Sequence, residues 1–207
     1  MPYEDLREYL NCLESSGKLH RISKAVDKDW EISAVCRVVF ESIPDVRRPA
    51  LFFERVKGKD IPLVAGVLGG SRSIYCLALD CAAGDIHKKW KEAEIHPVIP
   101  LKVSKAPVQE NVLRGEEVDL TRLPVPIWTV GEDPGPYITS PCVVTVDPDT
   151  GVRNVGTYRV QLKGPRDLGL FINYLQGGRE HVEQNNKLGR PTPVAIVIGT
   201  DPAVGLV

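Results

Sequence analysis

Apolar positions first recur at helical spacing over residues 3–16, where Leu6, Tyr9, Leu10 and Leu13 form one stripe. Asp5, Arg7, Glu8 and Glu14 fall on the outer face, and Gly17 stands at the position of a C-terminal cap. Leu19 and Ile22 predict a short strand. A second helix is predicted over 30–42, with Ile32, Val35, Val39 and Ile43 on one side and Pro44 closing it. Residues 50–56 and 62–68 read as strands flanking the charged turn Lys57-Gly58-Lys59-Asp60. Gly69-Gly70-Ser71-Arg72 then opens a helix carrying Ile74, Leu77 and Leu79, and 85–94 forms a polar helix. This alternation predicts a small α/β domain over residues 1–95. A glycine-rich entry to a helix can cradle phosphate, but neither G-x-G-x-x-G nor the lysine of a P-loop is present, so a tight strand-to-helix turn is the better reading.

Residues 96–137 break the alternation. Pro97, Pro100, Pro107, Pro124, Pro126, Pro134 and Pro136 forbid a helix through most of this connection. Val118, Leu120, Leu123, Val125, Ile127 and Trp128 give it enough apolar side chains to lie along a groove. From 138 to 207 the pattern is mainly β. Strands are predicted over 137–146, 152–162 and 168–175, a polar helix over 179–188, and a buried strand over 193–199 that leads into Gly199-Thr200-Asp201-Pro202. A strand and turn begun so near residue 207 predict a β domain that is incomplete within this sequence.

Composition narrows the function classes. The net charge is −1 over 207 residues, with Lys and Arg spread among the acids, so a nucleic-acid partner is not expected. No apolar run reaches membrane-span length, and no transmembrane segment is expected. The five cysteines are odd in number and form no C-x-x-C pair, which predicts free thiols in a reducing cytoplasm over a disulfide framework or zinc site. His20 reads as a solvated loop histidine. His87, His96 and His181 share no metal-ligand spacing and read as structural or surface residues. Glu116, Glu117 and Asp119 could pass for a general-base pair, but a solvated turn is favoured. Cys142 is expected buried and inert.

The stretch with chemical content is Asn154-Val155-Gly156-Thr157-Tyr158-Arg159, just after the turn Asp147-Pro148-Asp149-Thr150-Gly151. It reads as the second strand of a hairpin, with Asn154, Gly156 and Tyr158 on one face and Val155, Thr157 and Arg159 on the other. A neutral oxygen donor beside a cation suits a phosphorylated cofactor held through a metal. By itself the stretch reads better as an ordinary hairpin with a surface arginine.

Four ordered segments carry a resemblance: Leu123-Pro124-Val125-Pro126, Asp133-Pro134-Gly135-Pro136-Tyr137-Ile138-Thr139, Asp147 to Gly151, and Asn154 to Arg159. With the closing Gly199-Thr200-Asp201-Pro202-Ala203, the chain resembles the UbiD family of reversible (de)carboxylases, which act on aromatic and α,β-unsaturated acids with prenylated FMN. The resemblance implies an α/β N-terminal domain followed by part of a mainly-β split barrel of the flavin-reductase-like kind. It implies Asn154 as ligand of a divalent ion, manganese or magnesium (potassium being a further candidate), that also binds the cofactor phosphate. It further implies Thr157, Tyr158 and Arg159 along the flavin, Arg159 catalytic beside the substrate carboxylate, and Phe171, Ile172, Asn173, Gln176 and Gly177 as the next cofactor-lining segment. Many members carry a metal-site histidine in that segment. Aligned without a gap its position is Leu175, whereas a gap would place Gln176 there. The family's metal-binding glutamate and catalytic acids fall beyond residue 207. The expectation is therefore an N-terminal fragment or one subunit of a split decarboxylase, with a flavin prenyltransferase supplying the cofactor and an oligomer or second chain completing the site. A non-catalytic assembly module is the alternative, and a simple FMN reductase a third reading that no nicotinamide fingerprint supports.

Overall fold

The computed structural model describes residues 3–206. Helix α1 (Leu6–Ser15) starts later than the apolar pattern implies, because Asp5 is its N-cap: the carboxylate accepts from the Glu8 amide at 2.9 Å. The helix ends, as expected, at Gly17, which takes a positive φ. Strand β1 (Leu19–Ile22) pairs in parallel with β2 (Ala50–Phe53), and α2 (Glu31–Ser42) forms the crossover. Strand β3 (Leu63–Ala65) pairs antiparallel with β2. Leu51 and Phe53 face Ile32 and Cys36 of α2, whereas Ala50 faces Tyr9 and Leu13 of α1 and Ile74 and Ala78 of α3 (Arg72–Leu79). The central strand is thus apolar on both sides, as a sheet covered on both faces requires. His20 lies on β1, exposed, and not in a loop. Helix α4 (Ile86–Ile95) follows.

The tight-turn reading of Gly69–Arg72 holds. Ser71 caps α3 by accepting from the Ile74 amide, and Asp45 accepts from the Arg72 amide at 3.2 Å. Amides that a phosphate would need are already spent.

The connection divides in two. Residues 115–137 are pinned at several points: Ile127 donates to Asp29 at 2.9 Å, Leu120 donates to the Pro165 carbonyl at 2.8 Å, and Glu116 pairs with Arg166. Trp128 packs on the first core. By contrast, Val98, Ile99, Leu101, Val103, Val108, Val112 and Leu113 are all more than half exposed, so 98–113 lies along no groove of this chain.

Beyond it, two of the predicted strands each break in two. Residues 137–146 become β4 (Tyr137–Ile138) and β5 (Cys142–Val146), and residues 152–162 become β6 (Arg153–Thr157) and β7 (Val160–Leu162). The halves belong to different sheets, ordered β4-β7-β8 and β6-β5-β9, with β8 spanning Leu168–Leu170 and β9 Val194–Val197. The chain steps from one sheet to the other three times, at 139–141, at 158–159 and between β8 and β9. Val143, Tyr158, Val160 and Ile172 form the core between the sheets. Helix α5 (Gly177–Lys187) packs on β5 and β6. The final turn, α6 (Pro202–Gly205), returns to the first domain, and Leu206 joins the core around Tyr9 and Leu13. Among the described residues no helix is long and apolar enough to cross a membrane, and all five cysteines are free.

Candidate functional site

The face alternation expected for Asn154 to Arg159 is present although β6 stops at Thr157. Asn154, Gly156 and Tyr158 turn inward, whereas Val155, Thr157 and Arg159 turn outward. The phenol of Tyr158 folds back over Gly156 and accepts from Asn154 Nδ2 at 3.1 Å. Only glycine permits this, since a Cβ at 156 would lie 2.4 Å from the phenol oxygen. With Nδ2 committed, the amide presents its Oδ1, to which no described residue donates a hydrogen bond.

That oxygen lies against the start of α5. A Cβ at Gly177 would come within 2.6 Å of Asn154 Oδ1, and one at Gly178 within 3.3 Å of the Tyr158 ring. Helix α5 has no side-chain cap, and the Gly177 and Gly178 amides find no acceptor among the described residues. A free neutral oxygen therefore stands beside unspent N–H donors at the positive end of a helix dipole, a combination suited to a hard cation and a phosphate together.

One turn further along α5, His181 is buried, and its Nδ1 lies 2.8 Å from Thr145 Oγ1. Thr145 is fully buried and is the cross-strand partner of Asn154. This pair braces the helix against the hairpin, which places His181 among structural histidines. The hairpin register alone, set by the Asp147–Gly151 turn, would have put Thr145 opposite Asn154.

The remaining predicted residues divide. Phe171 is 76% exposed, and Tyr174 and Leu175 are exposed beside it, forming an apolar lip next to the Asn154 site. Ile172 points into the core between the sheets, so its side chain is committed to packing and not to a ligand surface. Gln176 Oε1 accepts from the Asn173 amide at 2.8 Å, which occupies the oxygen that a gapped alignment would offer to a metal. Thr157 is exposed at the end of β6, paired with Cys142. Arg159 projects outward over the Tyr137 ring and toward Asp133. Neither of those two partners is marked out by spacing. Among the described residues no group of three His, Cys, Asp or Glu side chains could hold a metal, so Asn154 Oδ1 has no such set beside it. The acid cluster is solvated as expected: Asp119 accepts from Thr121 and sits below the usual carboxylate range for that reason.

Two cavities lie elsewhere. The one of about 770 Å³, lined in part by Lys18, Asp45, Arg72, Cys76 and Cys81, is on the α/β domain. Its cations are already bonded within the chain, Lys18 to the Val46 carbonyl and Arg72 to the Ala83 carbonyl. The unspent acceptor and donor groups lie instead around Asn154 and the start of α5.

Fold and site together define an α/β domain joined to part of a mainly-β flavoenzyme-like barrel. The chain belongs to the UbiD family: residues 100–207 match its 3-octaprenyl-4-hydroxybenzoate carboxy-lyase Rift-related domain, and 10–94 match the N-terminal domain of the same enzymes. A phenolic acid decarboxylase of Streptomyces sp. (strain D7) is 32% identical over 217 residues, covering 100% of this chain and 45% of that protein. The UbiD-class enzyme HmfF from Pelotomaculum thermopropionicum, solved with FMN, superposes with a TM-score of 0.87 at 37% identity, covering 97% of this chain and 43% of that one. The vanillic acid decarboxylase of Sedimentibacter hydroxybenzoicus in closed form gives 0.88 at 32%, covering 98% and 44%. The chain thus spans less than half the length of the curated relatives it matches.

Proposed function

We propose that this chain forms the phosphate- and metal-facing part of a UbiD-type carboxy-lyase that uses prenylated FMN on an aromatic or α,β-unsaturated carboxylic acid. The observation that carries the proposal is the Asn154 amide, oriented by Tyr158 so that its free oxygen lies at the uncapped start of α5. Asn154 Oδ1 would be one ligand to manganese or magnesium, and the Gly177 and Gly178 amides would meet the cofactor phosphate. Tyr158 holds that amide in place, and the exposed Phe171–Leu175 lip offers an apolar surface to a flat ring system. Arg159 would orient the substrate carboxylate through its planar donor array. When bound, prenylated FMN supplies the electron sink for loss of CO2. The other metal ligands and the proton donor would come from residues outside this set, whether this is an N-terminal fragment or one subunit of a split enzyme, in an oligomer or with a second chain, and a flavin prenyltransferase would supply the cofactor. Five free thiols fit a cytoplasmic setting.

A second reading, an assembly module without chemistry, is favoured by Leu175 at the ungapped histidine position and by Gln176 Oε1 being engaged internally. Native mass spectrometry separates the two, with the protein co-produced with a flavin prenyltransferase and supplied with manganese. A species carrying prenylated FMN and metal, from which Asn154→Ala loses the metal, is the expected result. A chain that takes up neither would mean a fragment or a scaffold, and the catalytic reading would fall for this polypeptide.

A further inference from the structure

Arg159 follows the crossing between the two sheets, and its surroundings are more ordered than its exposure suggests. Its Cζ lies 4.6 Å from the centre of the Tyr137 ring, and Nη1 lies 3.9 Å from Asp133 Oδ1. Both partners are fixed from behind. Tyr137 donates its amide to the Pro126 carbonyl at 2.9 Å, and its own carbonyl accepts from Trp128 Nε1 at 2.9 Å. Asp133 is largely buried, and its Oδ2 accepts from the Thr129 amide at 2.8 Å while Oδ1 faces the guanidinium. At 3.9 Å the ion pair is not a hydrogen bond, and no described residue accepts one from Arg159. The guanidinium is therefore seated by a ring face and a charge, and all five of its N–H donors stay unspent.

Arg153 supplies the contrast. It stands on the same outward face of β6 and makes no ion pair or ring contact among the described residues. An arginine merely left on a surface would resemble it.

We propose that Asp133 and Tyr137 are positioning residues that hold the Arg159 guanidinium ready for an incoming carboxylate. The proposal rests on the reading above in which Arg159 meets the substrate's carboxylate. It assigns the 129–137 turn, and not the hairpin, the task of aiming that cation. An exposed arginine loses much rotamer freedom on binding a ligand, and a seat that spends no donor removes part of that loss in advance.

The test is ¹⁵N relaxation of the arginine Nε–H groups in the full chain. Arg159 is expected above an order parameter of about 0.6 and Arg153 below it, the ordinary division between ordered and flexible groups. Asp133→Asn keeps an oxygen for the Thr129 amide but removes the charge. It should drop Arg159 to the mobility of Arg153 with an unchanged melting temperature, an outcome that a purely structural role for Asp133 would not give. Tyr137→Leu should also abolish the upfield ring-current shift of the Arg159 side chain. Equal mobility of Arg159 and Arg153 in the wild type, or an Arg159 unmoved by Asp133→Asn, overturns the seat. Titration of the cofactor-loaded protein with benzoate then tests the underlying reading separately. An ordered Arg159 whose Nε signal ignores benzoate would leave the seat standing and remove the carboxylate role.

Discussion

Glycines at 156 and 177 decide whether Asn154 can act, because each leaves a space that another side chain occupies. Gly177→Ala would push a methyl to 2.6 Å from Asn154 Oδ1. Its expected outcome is loss of metal from the cofactor-loaded species in the native mass spectrum, with the far-ultraviolet circular dichroism unchanged. Gly156→Ala is harsher, since the Tyr158 ring at 2.4–2.5 Å must leave both the amide and the core. Overpacking of that kind costs about 1–3 kcal/mol, measurable by urea unfolding. Cys36 offers a check on burial: desolvation pushes its thiol up to about 11. It should stay unreactive toward a disulfide reagent at pH 8, while the half-buried Cys12 and Cys76 react first.

Among elements, the hairpin β5–β6 and its brace on α5 hold the site together. Thr145→Val keeps the shape of a fully buried residue but leaves His181 Nδ1 without its partner. The expected loss is about 1–3 kcal/mol of stability by denaturant titration. The turn is also sensitive to acid. The Asp147 carboxyl is held below its ordinary range, first by the Thr150 amide and then by the Asp149 amide. A lowered folded value means that its contribution is complete above the unfolded carboxylate range near pH ~4 and is lost as pH falls through the folded value. Asp147→Asn retains an acceptor for both amides, so the melting temperature should depend less on pH below about 4. The register that sets Thr145 opposite Asn154 was legible from the turn. Of the two divisions, the first is marked by Pro141, which has no N–H for a ladder, whereas the second was not legible, since Tyr158-Arg159 differ little in β propensity from their neighbours.

Across the whole molecule, the exposed aliphatic segment 98–113 separates a well-buried α/β domain from the barrel portion. A segment with exposed backbone and few buried contacts opens most easily. Brief trypsin treatment is expected to cut first after Lys102 or Lys105, leaving the two flanking bodies; first cleavage within α1 or β5 would contradict this. Their division at 95 and 137 stays a proposal, and the packing of Leu206, just after α6, on the Tyr9 core ties this turn to the first domain.

From sequence alone, the periodicity of α1 and α2, the strand β2 between them, the two faces of Asn154–Arg159 and the family resemblance could all be read. Each depends on near neighbours in the chain or on ordered motifs, and local sterics fix which way a strand residue points. Tertiary structure decided what those residues touch. It split two strands between sheets, sent Ile172 into the core, turned the Gln176 oxygen onto Asn173, folded Tyr158 back to Asn154 and set Asp133 beside Arg159. These contacts bring together positions far apart in the chain or set by loop paths, and no propensity or spacing encodes a distance that only packing creates.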